Sequence, residues 1–242
     1  MAHINAQRPN TRLQIIQLAA KLYIENGYSK TTNKELATLL DLSPGNITFY
    51  FPTKDHLLSV LVNELCDFQA LLMEQAAEEG KSSLLAYCLE LTARASACEE
   101  SEITREFFVS AYSSELTLKL IRENGTKKTK AVFSDYCPEW DDDMWQATEN
   151  IVSGIEYATL MTREQDIPLP VQIERTLNTI MTIYKVPEEL RSNKVQKVLS
   201  MDYRALGQRI LTEFKEYIEK VNEDNIKKAI CDRSKNVHRS AE

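Results

Sequence analysis

The sequence predicts an all-α fold: an N-terminal three-helix head of helix-turn-helix type, joined by a long connector helix to a larger helical body. Three observations carry this. Only six glycines and seven prolines punctuate 242 residues, which leaves room for long uninterrupted helices. Apolar residues recur at intervals of three and four along most of the chain, the spacing of an amphipathic helix. No segment alternates apolar and polar residues as a half-buried strand would. With 43% hydrophobic residues the chain can bury a sizeable core. The head is expected over residues 1–53 and the body over residues 54–242.

The elements follow in order. Residues 1–8 read as a mobile arm, and Pro9 and Asn10 open a first helix that runs to about Asn26. Ile16, Ala19, Ala20 and Tyr23 form its apolar stripe, and Gly27 suits the left-handed position after its end. Thr32 followed by Glu35 is a capping-box pattern that starts a second helix, with Leu36, Leu39 and Leu40 on its apolar face. Asp41-Leu42 is a tight turn. Ser43 is a good N-cap and Pro44 a good first helical residue for a third helix, which Pro52 cuts short. Thr53 caps the next. Two helices joined by a turn of three or four residues form a helix-turn-helix, whose second helix is sized for a DNA major groove.

Residues 12–58 resemble the DNA-binding region of TetR-type transcriptional regulators. The matching features are Ile15, Ala19, Tyr23, Gly27-Tyr28, Thr32, Leu36-Ala37, Ser43, Gly45, Phe51 and Lys54-Asp55. The chain departs at Thr48, where the family usually has Tyr, with Phe49 and Tyr50 following. The resemblance implies that Thr32 and Lys54 contact phosphate. Lys34 can reach phosphate or a guanine edge. Ser43, Pro44, Gly45 and Asn46 open the recognition helix, and Asn46 can either pair with adenine or stay an exposed polar residue. Thr48, Phe49 and Tyr50 are exposed candidates; Tyr50 can donate to phosphate and Phe49 can meet a thymine methyl. Ile47 and Phe51 are expected inside the head.

In the body, Leu57, Leu58, Leu61, Leu65, Phe68 and Leu72 give the connector a stripe that reaches Glu78-Glu79-Gly80. Further helices are expected from Ser82 or Ser83 to about Cys98, and from Ser101 to Gly125. A shorter piece follows from Lys127 to Tyr136. Asp141, Asp142 and Asp143 oppose the positive end of a helix dipole, so they read as a helix start and not as a metal site. Along that helix Met144, Ala147, Ile151, Gly154, Ala158 and Met161 form a heptad-like seam with small residues in its middle. Pro168 and Pro170 open another helix, carrying Ile173, Leu177, Ile180 and Tyr184. By resemblance these two helices are the dimer-forming pair; the alternative is that both seams are intramolecular core. Helices at 188–200 and 202–223 follow, and the second caps the body or wraps a partner. From about Asn225 the chain becomes polar.

Tyr87, Phe107, Phe108, Tyr112, Trp145 and Tyr157, with Met161, are candidates for a small-molecule pocket, which the resemblance implies; ordinary core is the alternative. The net charge is −7, but residues 1–60 carry six Lys/Arg and four Asp/Glu, so a mildly basic head sits on an acidic body. The five cysteines are odd in number and lack C-x-x-C spacing, which suggests a reducing compartment. The start lacks the apolar core of a signal peptide, and no run approaches the ~18 apolar residues of a membrane span. A soluble cytoplasmic protein is expected. Three histidines (His3, His56, His238) and the absence of nucleotide-loop, zinc-protease or serine-elbow motifs argue against an enzyme. No cofactor or metal is expected. The reading is a homodimeric repressor that binds a pseudo-palindromic DNA operator and is released by a small-molecule effector. The alternative is a helical adaptor that has lost sequence-specific DNA binding.

Overall fold

The computed structural model describes residues 10–77, 83–161 and 167–221. The arm at 1–8, the Glu78-Glu79-Gly80 end of the connector, Ser82 and the polar tail lie outside the described residues. Every regular element among the described residues is a helix. They are α1 (Thr11–Glu25), α2 (Asn33–Leu39), α3 (Pro44–Tyr50), α4 (Lys54–Ala77), α5 (Leu84–Glu100), α6 (Glu102–Ser113) and α7 (Glu115–Phe133). Then come α8 (Asp142–Met161), α9 (Leu169–Ile183), α10 (Glu188–Ser200) and α11 (Tyr203–Lys220).

The head forms where the local signals direct. Asn10 caps α1 by accepting from the Leu13 N–H at 3.1 Å. Thr32 and Glu35 close the reciprocal capping box on α2. Gly27 and Asp41 take positive φ at the two turns. Ile15, Ile16, Ala19, Tyr23, Leu36, Ile47, Phe51, Leu57 and Leu58 meet in the core of the head.

In α4 the apolar face is covered by α1, α5 and α7. This helix is, by length and composition, apolar enough to cross a membrane, contrary to the sequence expectation, but most of its apolar stretch is buried inside the protein. At the centre of the body, α5 is buried on every side from Leu84 to Cys98, as befits a helix surrounded by others.

Two boundaries differ from expectation. The helix after Ser101 breaks at Ser114, and α7 then runs straight through Gly125. Gly125 does not end a helix: a Cβ there would collide with the carboxylate of Glu149 on α8. The ~1 kcal/mol that glycine costs inside a helix is offset by this close approach.

The structure also places the last helix, whose role the sequence left open. α11 covers the body along α5, and a Cβ on Gly207 would lie 2.6 Å from the Ala93 carbonyl oxygen. It reaches the head as well. Gln17 of α1 donates to the carbonyls of Ile218 (3.2 Å) and Glu219 (3.1 Å), and Lys215 pairs with Glu25 at 2.9 Å.

Candidate functional site

The first site is the outer face of the head. On α3 only Ile47 is buried; Ser43, Pro44, Gly45, Asn46, Thr48, Phe49 and Tyr50 are all exposed. Thr32 and Lys34, at the start of α2, are exposed too. Phe49 is 81% exposed, and among the described residues its ring meets only the edge of Tyr50, at 5.2 Å. Ser43 caps through its backbone, while its hydroxyl donates to the Asn46 Oδ1 at 2.9 Å. Thr48 bonds back to the Gly45 carbonyl at 3.1 Å. A Cβ on Gly45 would meet only Ser43 Oγ, at 3.7 Å, so no protein neighbour requires glycine there.

Lys54 sits differently from the rest. Its amine donates to the Tyr28 backbone carbonyl and lies 3.9 Å from the centre of the Tyr28 ring. Tyr28 in turn donates to Asp55 at 2.6 Å. Partial burial lowers the Lys54 pKa, against the carboxylates of Glu106, Asp55 and Glu35. Lys54 thus pins the start of α4 to the turn between α1 and α2. Glu106 of α6 reaches the same turn, where its carboxylate accepts the Ser29 N–H at 2.6 Å and packs on Gly27.

The second site is a cavity of about 370 Å³ in the body, walled by α4, α5, α6, α7 and α8. Tyr87, Phe107, Phe108 and Tyr112 line it as expected, but Trp145 and Tyr157 do not. Trp145 is taken up by an aromatic stack with Trp140 (4.9 Å) and Tyr184 (5.9 Å). Tyr157 lies behind Tyr112, with ring centroids 6.1 Å apart.

Sequence reasoning missed the charged part of this wall. Arg94 pairs with Glu90 at 3.0 Å and Glu156 at 3.5 Å, and donates to the Tyr112 hydroxyl at 2.7 Å. Tyr112 donates to Glu156 at 2.5 Å, and Lys128 closes on Glu90. Despite burial, these cations hold the Glu90 carboxyl below its usual pKa. Glu149 lies apart, accepting from Thr129 at 3.4 Å and Tyr184 at 3.3 Å. Burial and then the charge of Glu156 push it up from 4.5 to about 8. The available signal was the Glu90/Arg94 pair, four apart in an otherwise apolar helix, and Glu149 and Glu156, seven apart on one face.

The third feature is the α8 seam. Met144, Ala147, Ile151, Gly154, Ala158 and Met161 all lie on its outward face, with Met144 49% and Ile151 61% exposed. The α9 half of the expected seam is corrected: Ile173, Leu177, Ile180 and Tyr184 are buried within the subunit. They pack toward α5, α8 and α10, so they have no surface left for a second chain.

Residues 15–61 match the family of bacterial regulatory proteins of the tetR type. The HTH-type transcriptional regulator QacR of Staphylococcus aureus is 37% identical over 54 residues, 22% of this chain and 29% of QacR. The uncharacterized HTH-type transcriptional regulator YuxN of Bacillus subtilis is 33% identical over 78 residues, 32% of this chain and 27% of YuxN. The matches thus span under a third of the length of these relatives. A tetR-family transcriptional regulator from Streptomyces coelicolor aligns at 17% identity over 83% of this chain and 96% of its own, with a TM-score of 0.46. A gamma-butyrolactone receptor (ArpA-like protein) aligns at 18% identity over 84% and 97%, with a TM-score of 0.41.

Proposed function

We propose that the chain is a TetR-type, sequence-specific DNA-binding transcriptional regulator: a cytoplasmic homodimeric repressor released by a small-molecule effector. The observation that carries the DNA reading is the outward face of α2 and α3. Exposed donors, an open glycine and an exposed ring are gathered on one short helix whose inner side is pinned by Ile47 and Phe51. Such a helix can enter a major groove, with Asn46 at a base edge and Thr32 and Lys34 at the backbone. The Thr32 cap also leaves the N-terminus of α2 facing outward, where its N–H groups favour a phosphate.

The α8 seam supplies the dimer in this reading. Two heads on a two-fold axis would read successive major grooves of a pseudo-palindrome, about 34–36 Å apart. The cavity supplies the effector site. Its walls include both α4, which carries the head, and α6, whose Glu106 holds the turn before α2. Filling the cavity would shift these helices and change the spacing of the heads. DNA affinity falls only by as much as the effector prefers the shifted state.

Selection of bound sequences from a random duplex pool at physiological salt tests the DNA reading. Recovery of an inverted repeat, with half-sites one helical turn apart or a multiple of it, is the expected result. Recovery of no sequence by a folded, ligand-free dimer would refute it in favour of an adaptor. An effector-bound dimer that keeps both operator affinity and head spacing would refute the release mechanism.

A further inference from the structure

We propose that the chain reads its operator through the C5-methyl groups of thymines, and that Phe49 is the residue that reads them. The proposal rests on the DNA reading above and adds the chemistry by which a base is chosen. Its first support is what α3 lacks. The helix runs from Pro44 to Tyr50 and carries neither Lys nor Arg. Guanine is most often recognised in the major groove by the paired donors of an arginine, or by a lysine. Lys34 is exposed, but it stands at the start of α2, and the first helix of this motif crosses the backbone. The Lys54 amine is turned to the Tyr28 carbonyl.

The small polar groups of α3 are partly committed to the helix itself. The Thr48 hydroxyl donates to the Gly45 carbonyl at 3.1 Å, which leaves the methyl as the part of this exposed side chain that can meet a base. Ser43 donates to the Asn46 Oδ1 at 2.9 Å, which uses the Ser43 proton and one lone pair of the amide. Asn46 keeps its two N–H donors, and adenine, the partner of thymine, offers N7 to such a donor. The largest group left on the outer face is the Phe49 ring.

The second support is how that ring is held. It stands edge-on to Tyr50, with ring planes at 84°, and this contact braces it while its faces stay in water. An exposed phenylalanine adds almost no burial to folding; it gains burial when a partner covers it. Gly45 stands one turn before Phe49 on the same side of the helix, and helical side chains lean back toward the N-terminus. A Cβ at position 45 would meet nothing nearer than Ser43 Oγ at 3.7 Å, so bare backbone lies beside the ring. A step of this kind, ring on one side and glycine on the other, admits a methyl group projecting into the major groove. Of the four bases only thymine presents one there.

The test uses the full chain and the operator recovered from the random pool. Each thymine is replaced in turn, in both half-sites together, by deoxyuridine, which removes the methyl and keeps every hydrogen-bonding group. At one position or more, binding in a mobility-shift titration should weaken about fourfold per half-site and about 15-fold in all, the worth of one buried carbon in each. In Phe49→Ala the same replacement should change affinity by less than about twofold, while the salt slope stays at the parent's value because no charge has changed. Exchanging the read T·A pair for C·G should weaken binding. Methylating that cytosine at C5 should then recover about fourfold per half-site in the parent and nothing in Phe49→Ala. Indifference to deoxyuridine at every thymine, or a deoxyuridine penalty that persists in Phe49→Ala, would overturn the proposal. Should Phe49→Ala fail to fold, Phe49→Gln takes its place in the same comparison. Recovery of no operator would sink the DNA reading and this proposal together; a recovered operator indifferent to its methyl groups would sink this proposal alone.

Discussion

Ile151→Asp should dissociate the proposed dimer without unfolding the subunit. Ile151 lies at the middle of the outward face of α8 and is 61% exposed in the single chain. Full burial of an isoleucine side chain is worth about 1.5–3 kcal/mol, so covering the exposed share contributes about 1–2 kcal/mol per copy. A two-fold interface uses the same residue twice, which makes about 2–4 kcal/mol. At 1.4 kcal/mol per factor of ten, removing it weakens association by about 30- to 700-fold. Two aspartates facing each other across the axis add like-charge repulsion, so this is a lower bound. Sedimentation equilibrium over a range of concentrations gives the dissociation constant, and circular dichroism checks the fold. Ile180→Ala is the control from the buried side of α9. It should cost about 2–5 kcal/mol of folding stability, with no selective effect on association of the folded subunit. A folded Ile151→Asp that dimerises as tightly as the parent would refute the assignment of this face.

Three further outcomes follow from the geometry. Lys54→Ala should cost the head about 1 kcal/mol, read by thermal melting, and weaken binding to all duplexes alike. Because the Lys54 amine is held on the Tyr28 carbonyl, the slope of log K against log salt should hold in that variant, whereas in Lys34→Ala it should fall by about 0.9. Gly45→Ala should leave the free protein as stable or up to about 1 kcal/mol more stable, since nothing opposes a Cβ there, yet weaken operator binding in a mobility-shift titration. Unchanged operator affinity would mean that DNA does not approach that backbone. Glu149 carries a native pKa raised from 4.5 to about 8, so between those values the folded state holds a proton that the unfolded chain has lost. Its contribution to stability is therefore full below about 4.5 and is lost as pH rises through 8. Denaturant unfolding from pH 5 to 8 should show stability falling by at most about 1.4 kcal/mol per pH unit from this group, and Glu149→Gln should flatten the fall.

The head was legible because its signals are local. A capping box, a proline at a first helical position and a glycine at a left-handed turn each act within four residues, and each formed as its sequence dictated. Lys54 shows where that reading stops. Its place depends on Tyr28, which is 26 residues away in sequence and beside it in the fold. In the body, periodicity identified the apolar faces but not what covers them. The stripes of α8 and α9 look alike as patterns. One faces outward and the other packs into the core, because α5 and α10 close over α9 while no other described residue covers the outer side of α8. Gly125 misled for a related reason. As a lone residue it reads as a helix end, and only the Glu149 side chain lying against it explains a glycine inside α7.

Among the described residues α4, α11 and α6 each tie the head to the body, and they differ in what can move them. α4 is continuous through both, so it transmits any tilt rigidly. α11 holds α1 by the Gln17 bonds and the Lys215–Glu25 pair, but it carries no part of the cavity wall. α6 joins the two functions within three residues: Glu106 holds the Ser29 N–H, while Phe107 and Phe108 line the cavity. A ligand that pushes on those rings acts on the same turn of helix as the latch. The bond it acts on is a charge-assisted one of 2.6 Å to the turn leading into α2, and such a bond depends on its short distance and its alignment. Displacing α6 far enough to break that contact therefore alters the support of α2. In the proposed release mechanism α6 is thus a second route from the cavity to the head beside α4, while α11 holds α1 from outside the cavity.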